Sequence, residues 1–238
     1  MAAKKPPAKD LKAKVEELLE GVPQASYQTI ELPSRRSCEV RAITYEDELE
    51  AAKVLDKDFN QMNFMVNRCL KEGSADNMYI FDKRFLVMKI RELTLGPEYK
   101  AKLTCPSCGD ESVISYSLDK VPVDLVPEDW VEPIEVHLED IDKEITVKLP
   151  RVRDEQYLRN HEATLTNLWR FVETFEGEDN RQVIAEVIKR LPVPVIAKIL
   201  EAMTVEYGIV SKVKFVCAGC RFSDIVEMPF NEDFFTKS

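Results

Sequence analysis

The chain has 238 residues, 33 basic against 43 acidic, for a formal net charge of −10 and a pI near 5.0. That length makes one large or two small domains, and 45% hydrophobic with 32% charged residues excludes a disordered chain. The acidic balance repels phosphate polymers unless a local basic patch overrides it. No apolar run reaches the roughly 18 residues of a membrane span, and the basic residues near the start precede no signal-peptide core, so no leader is expected.

Residues 1–10 read as a tail and 11–20 as a short helix closed by Gly21 and Pro23. Alternation predicts strands over 27–32 and 39–43 around a turn at 33–37. Thr44 then caps a helix, with Asp47 three residues on as an imperfect capping box. Leu49, Ala52, Leu55, Phe59, Met62, Val66 and Cys69 follow at steps of three and four, the amphipathic period, and Gly73 stops the helix. A second helix over about 76–91 turns Met78, Phe81, Phe85 and Met88 inward and closes at Gly96-Pro97.

The next stretch is written twice. Lys-Leu-Thr-Cys-Pro-Ser-Cys ends at Cys108, and Lys-Phe-Val-Cys-Ala-Gly-Cys ends at Cys220. Each places a C-x-x-C pair at the tip of a predicted hairpin, with arms 99–104 and 112–118 in the first copy, 210–216 and 224–230 in the second. At a constant offset of 112 residues Cys105 falls on Cys217, Cys108 on Cys220, Lys102 on Lys214 and Gly96 on Gly208. The apolar positions agree as well: Leu103 with Phe215, Val113 with Ile225, Ile114 with Val226.

Between the copies, prolines 122, 127 and 133 among acidic residues mark a linker over 121–133. A hairpin is expected from 134–138 and 145–149. A helix from about Asp154 then places Leu158, His161, Leu165, Leu168, Val172 and Phe175 on one face. Two more follow, one over 180–191 and one with Ile196, Ile199, Leu200 and Met203 inward, before Gly208. The layout is a tail and short helix (1–23), a first half (24–120), a linker (121–133) and a second half (134–238). The fold class is α+β: helices, short antiparallel hairpins and a four-cysteine zinc ribbon, with an internal duplication.

Two knuckles supply Cys105, Cys108, Cys217 and Cys220, the ligand set of a closed structural zinc site with one ion. The separation between them is far longer than the usual 15–20 residues or so, so one ion would join segments distant along the chain. A redox C-x-x-C, two disulfides, plain hairpin cysteines, or iron in place of zinc are the other readings. A redox pair normally opens a helix, whereas Cys105 and Cys217 end strands. Cys38 and Cys69 stand alone, Cys69 as buried filler on a helical face.

Catalytic groups are few. Of the two histidines, His161 is expected in the core and His137 at the surface of a hairpin. No Walker loop, G-x-G-x-x-G or H-E-x-x-H is present, and four thiolates leave no open metal position. No enzymatic activity is expected. Arg35-Arg36, Arg151 and Arg153 and the lysines beside the knuckles are the only nucleic-acid footprint, spread among more numerous acids. A zinc-ribbon nucleic-acid-binding or transcription-related protein is therefore the alternative to a structural or assembly role.

The order of these motifs resembles a known family. Ile30-Glu-Leu-Pro-Ser-Arg35, a strand, Ala42-Ile-Thr-Tyr-Glu46, a long helix, Ile90-Arg-Glu-Leu-Thr94, Gly96, Tyr99 and Cys105-Pro-Ser-Cys-Gly109 are similar to the opening of T-even-type phage baseplate proteins. The likeness covers most of 27–175, with Arg36-Ser37 where a glycine is expected. It implies a non-enzymatic component of a contractile tail's baseplate hub, or a factor for its assembly. Such a protein contacts other hub and tail proteins, in the virion or in the host cytoplasm during assembly, with zinc as scaffold.

Overall fold

A computed structural model describes residues 8–22, 24–53, 60–204, 206–228 and 232–235. The chain is mixed helix and sheet, with every strand pairing antiparallel. α1 (Ala8–Leu18) is followed by a hairpin of β1 (Gln28–Glu31) and β2 (Ser37–Val40), in which Ile30 faces Cys38. Its turn puts Arg35 at φ 61, and the Leu32 N–H reaches the Arg36 carbonyl at 2.7 Å. No glycine is needed because distant groups hold the turn. Asp82 accepts from the Ser34 N–H at 3.0 Å, and Arg35 Nε donates to the Val126 carbonyl at 2.7 Å.

Thr44 caps α2 (Tyr45–Ala51) through a complete capping box with Asp47. α3 (Asn60–Cys69) carries Val66 and Cys69 into the core. Leu55 and Phe59 of the expected stripe lie outside the described residues. Asp47 is fully buried. It accepts from Arg41 Nη1 at 2.6 Å and Nη2 at 3.1 Å, from Arg68 Nε at 2.9 Å, and from the Thr44 N–H and hydroxyl at 2.9 and 2.8 Å. Burial alone would raise its pKa, but Arg41, Thr44 and Arg68 together hold it well below the usual carboxylate range.

α4 (Ile80–Leu95) is the axis of one core, buried on most of its circumference. Its buried charges each tie down a different segment. Asp82 holds the β1–β2 turn. Lys83 pairs with Glu155 and donates to Asn63 Oδ1 at 3.0 Å. Arg91 donates to the carbonyls of Gly96 at 2.9 Å and Glu98 at 3.1 Å. Gly96 ends the helix at φ 86, a left-handed conformation that glycine adopts freely.

The first cysteine hairpin, β3 (Glu98–Thr104) and β4 (Glu111–Ser117), comes next. The proline-rich stretch 121–133 is built into the fold. β5 (Val123–Asp124) pairs with β9 (Gly208–Ile209), and Val126 is buried. Trp130 packs edge-on against Tyr79 at 5.3 Å. A two-residue strand has no periodicity to read, so sequence shows the prolines and not the pairing. Gly208 is required there: its φ is 95, and a Cβ would stand 3.0 Å from Phe81 Cβ.

β6 (Ile134–Leu138) and β7 (Lys143–Val147) form the expected hairpin, and β8 (Val172–Phe175) adds a third strand on the far side of β7. Here the expected helix from Asp154 to Phe175 is overturned. The segment is a 3-10 stretch (Val152–Tyr157), α5 (His161–Asn167) capped by Asn160, and then β8. Val-Glu-Thr-Phe suits a strand by its β-branched and aromatic residues, and the Thr174 and Thr146 hydroxyls meet across it at 2.8 Å. His161 is exposed at the start of α5, so the core histidine expected there is also overturned. α6 (Arg181–Ile188) and α7 (Val193–Met203) bury Ile184, Ile188, Val195, Ile199 and Met203 against this sheet. β10 (Lys212–Val216) and β11 (Ser223–Glu227) form the second cysteine hairpin.

Two main cores result. One gathers α3, α4 and the base of the first cysteine hairpin, and takes in Met228 and Phe234 from the chain's end. The other is the β6-β7-β8 sheet under α6 and α7. Between them Tyr79, Phe81, Val126 and Leu149 form a small aromatic cluster with Trp130 and Tyr207.

Replacing Asp47 by Ala strands the Arg41 guanidinium and is expected to cost roughly 3–5 kcal/mol in urea unfolding. Because its folded pKa is depressed, the stabilisation is complete above the unfolded value of about 3.9 and fades as pH falls below it. Asp47→Asn should therefore show a flatter stability profile on acidification than the parent chain.

Candidate metal centre

The two cysteine hairpins share one register. Lys102 faces Val113 and Leu103 faces Ser112 in the first; Lys214 faces Ile225 and Phe215 faces Asp224 in the second, each pair displaced by the same 112 residues. The tips agree too. The Cys105 N–H bonds the Asp110 carbonyl at 2.9 Å and the Gly109 N–H bonds the Cys105 carbonyl at 2.9 Å. The Cys217 N–H bonds the Phe222 carbonyl at 2.8 Å and the Arg221 N–H bonds the Cys217 carbonyl at 3.1 Å. Gly109 (φ 79) and Arg221 (φ 61) occupy the same left-handed position. Such turns aim both sulfurs of a C-x-x-C pair to one side.

The hairpins bring all four sequence-predicted cysteines together: the sulfurs lie within 4.8 Å of one another. The first cysteine of each pair, Cys105 and Cys217, is buried and the second, Cys108 and Cys220, is exposed. Across the two hairpins Cys105 Sγ stands 3.7 Å from Cys220 Sγ, and Cys108 Sγ 3.6 Å from Cys217 Sγ. Disulfide sulfurs would lie about 2.05 Å apart. Four sulfurs around one ion at about 2.3 Å would instead be separated by roughly 3.8 Å, the edge of the tetrahedron. The donor set therefore fits a single tetrahedral metal ion. Among the described residues no other group of three or more potential ligands converges.

Contacts between the hairpins fix this arrangement. The buried Ser112 hydroxyl accepts from the Ala218 N–H at 3.2 Å and lies 3.8 Å from Cys217 Sγ. Gly219 sits so close to Asp110 that a Cβ would come within 2.5 Å of its Oδ2. Phe215 is buried beside Cys105 and Cys217, with Leu103, Ile114, Phe222 and Val226 around them. The Cys220 N–H, helped by the Gly219 N–H and the Ser112 hydroxyl, pulls the Cys217 thiol down to about 6. At Cys108 the Asp110 N–H acts in the same sense, but desolvation and the thiols of Cys220, Cys217 and Cys105 outweigh it and push the group up to about 12. Four adjacent thiols resist ionising together unless a cation shares their charge.

The sequence family can now be placed beside this geometry. Residues 24–236 match the family model described as T4 bacteriophage base plate protein. The chain belongs to that family. The match takes in both cysteine hairpins of this baseplate-family chain and extends well past the 27–175 on which most of the sequence likeness rests. No curated protein and no solved structure matches it.

The remaining sequence candidates lie elsewhere. His137 is exposed on β6, with Nδ1 2.5 Å from Glu144 Oε1, a surface pair on a hairpin. Cys69 is buried and Cys38 partly so, and burial, the largest influence on each, pushes their thiols up, to about 12 and about 11. Sequence reasoning missed Ser112: a serine in a strand carries no signal until the second hairpin is seen against it. No helix among the described residues is long and apolar enough to cross a membrane.

Ser112→Ala leaves the Ala218 N–H without its acceptor and is expected to destabilise the paired hairpins by about 1 kcal/mol. The check is faster modification of Cys108 and Cys220 by a thiol reagent, with urea unfolding of the whole chain shifted by no more than that amount.

Proposed function

We propose that this baseplate-family chain is a non-enzymatic structural or chaperone-like assembly component of a contractile tail's baseplate hub. In this reading Cys105, Cys108, Cys217 and Cys220 hold one zinc ion that organises its protein contacts. The observation that carries the metal part is the sulfur spacing, 3.6 and 3.7 Å across the hairpins, close to a tetrahedral edge. The ion would supply charge neutralisation and a crosslink. With four thiolates around it no position is left for a substrate, which favours scaffold over catalyst. Thiolates also suit zinc or iron better than the hard cations.

The shared register of the two hairpins supports reading residues 24–120 and 134–238 as duplicated halves joined through 121–133. A metal crosslink between Cys108 and Cys217 would then couple the halves, so metal binding contributes to folding free energy. Partners in this reading are other hub and tail proteins, met in the virion baseplate or in the infected cell during assembly.

Lysines 100, 102, 212 and 214 on the outer faces of the hairpins favour a second reading, nucleic-acid binding, against which stands the net charge of −10. Co-expression with the neighbouring tail proteins should yield a stable complex with a hub protein. Salt-sensitive retention on DNA at physiological ionic strength, without such a complex, would favour the second reading.

Elemental analysis of the purified chain is expected to give one zinc per molecule; none, or two, would end the one-site reading. Metal removal by a chelator should expose all four cysteines to thiol reagents and lower the melting temperature, and zinc should reverse both.

A further inference from the structure

We propose that the cleft where α4 meets the end of α7 is a docking pocket for the C-terminal residue of a partner protein. That residue carries a large apolar side chain, and its carboxylate pairs with Arg84. The proposal is independent of the metal centre. Phe81 and Arg84 of α4, Leu149 after β7, Leu158 after the 3-10 stretch, Met203 at the end of α7 and Tyr207 line a cavity of about 230 Å³. Small-molecule and cofactor sites commonly occupy about 300–1,000 Å³. This cleft therefore suits one large side chain better than a whole cofactor.

Contacts behind the walls hold the pocket open. The Phe81 ring stacks on Tyr79 at 4.9 Å and meets Tyr207 edge-on at 6.0 Å, and Trp130 packs edge-on against both tyrosines. β9 lies so near α4 that a Cβ on Gly208 would stand 3.0 Å from the Phe81 Cβ. Met203 and Leu149 are buried. An entering side chain thus meets a formed apolar surface, and little ordering of the pocket is left to offset its binding.

Arg84 supplies the charge that selects the occupant. The other charged side chains of α4 are committed: Asp82 to the Ser34 N–H, Lys83 to Glu155, Lys89 to Glu92 and Arg91 to two backbone carbonyls. Arg84 is exposed where it lines the cleft, and among the described residues no hydrogen bond or ion pair engages it. A guanidinium beside apolar walls matches a carboxylate on an apolar body, which it can grip with two parallel N–H groups. The last residue of a chain brings both parts on one Cα. An internal acidic segment would have to lead its backbone in and out past a cleft with room for one side chain. A nucleic-acid phosphate would satisfy Arg84 but leave the apolar walls unfilled.

NMR of the full chain with isotope-labelled methionine methyl groups tests this, the Met203 signal being identified by Met203→Leu. The ligands are acetyl-Gly-Gly-Phe and acetyl-Gly-Gly-Leu with free carboxylates, the same peptides as C-terminal amides, and acetyl-Gly-Phe-Asp-Gly-amide. At least one free-acid peptide should move the Met203 signal saturably at millimolar concentration or below. Its amide and the internal Phe-Asp peptide should bind at least about tenfold more weakly. Arg84→Gln should weaken the acid by the same factor and leave the amide unaffected, which assigns the loss to the guanidinium–carboxylate pair. Thr204→Trp, at an exposed position on the cleft, should block the acid. An unchanged urea midpoint will show that the Arg84 variant keeps its fold. The proposal is overturned by a Met203 signal that neither acid moves, by an amide or internal peptide that binds as tightly as the acid, or by an Arg84→Gln chain that binds like the parent.

Discussion

Four thiols confined within 4.8 Å of one another form a cluster that repels its own ionisation. The elevated Cys108 carries that conflict, while the Cys220 and Gly219 N–H groups and the Ser112 hydroxyl favour the charge on Cys217. A cation among the sulfurs removes it, and the rest of the architecture is arranged so that the sulfurs can meet. The hairpins share a register, turn through the same left-handed position and face each other across Ser112, Ala218, Gly219 and Asp110. A slip of one residue in either hairpin would turn Leu103 or Phe215 outward and carry the cysteines away from each other.

Rigid connection to the domain cores supports this meeting. Arg91 grips the carbonyls of Gly96 and Glu98 just where α4 gives way to β3, so the first hairpin leaves the core at a fixed angle. The second hairpin is anchored by β9 pairing with β5 and by Met228 entering the first core. Lys83 on α4 and Glu155 in the 3-10 stretch form a buried ion pair between segments distant along the chain. Removing either partner would leave the other charge buried and uncompensated, which is the costly case.

Much of this was legible in the sequence because spacing carries it. The duplicated Lys-x-x-Cys-x-x-Cys, its offset of 112 residues, the Thr44–Asp47 cap and the β6–β7 hairpin follow from local pattern. What sequence hid was non-local. Val172 and Phe175 fit a helical face at steps of three and four, yet the open edge of β7 takes them as a strand. The prolines of 121–133 look like a linker until β5 is seen against β9. His161 falls on an apolar stripe, but Asn160 restarts the helix beneath it and leaves the ring outside.

The distance along the chain between the two cysteine pairs sets a timetable for synthesis. At roughly 5–20 residues per second, Cys105 and Cys108 leave the ribosome about 5–20 s before Cys217 and Cys220 do. During that interval two of the four clustered thiols stand without their partners, open to oxidation. Their partners come from β10 and β11, so residues made late complete a cluster begun by residues made much earlier.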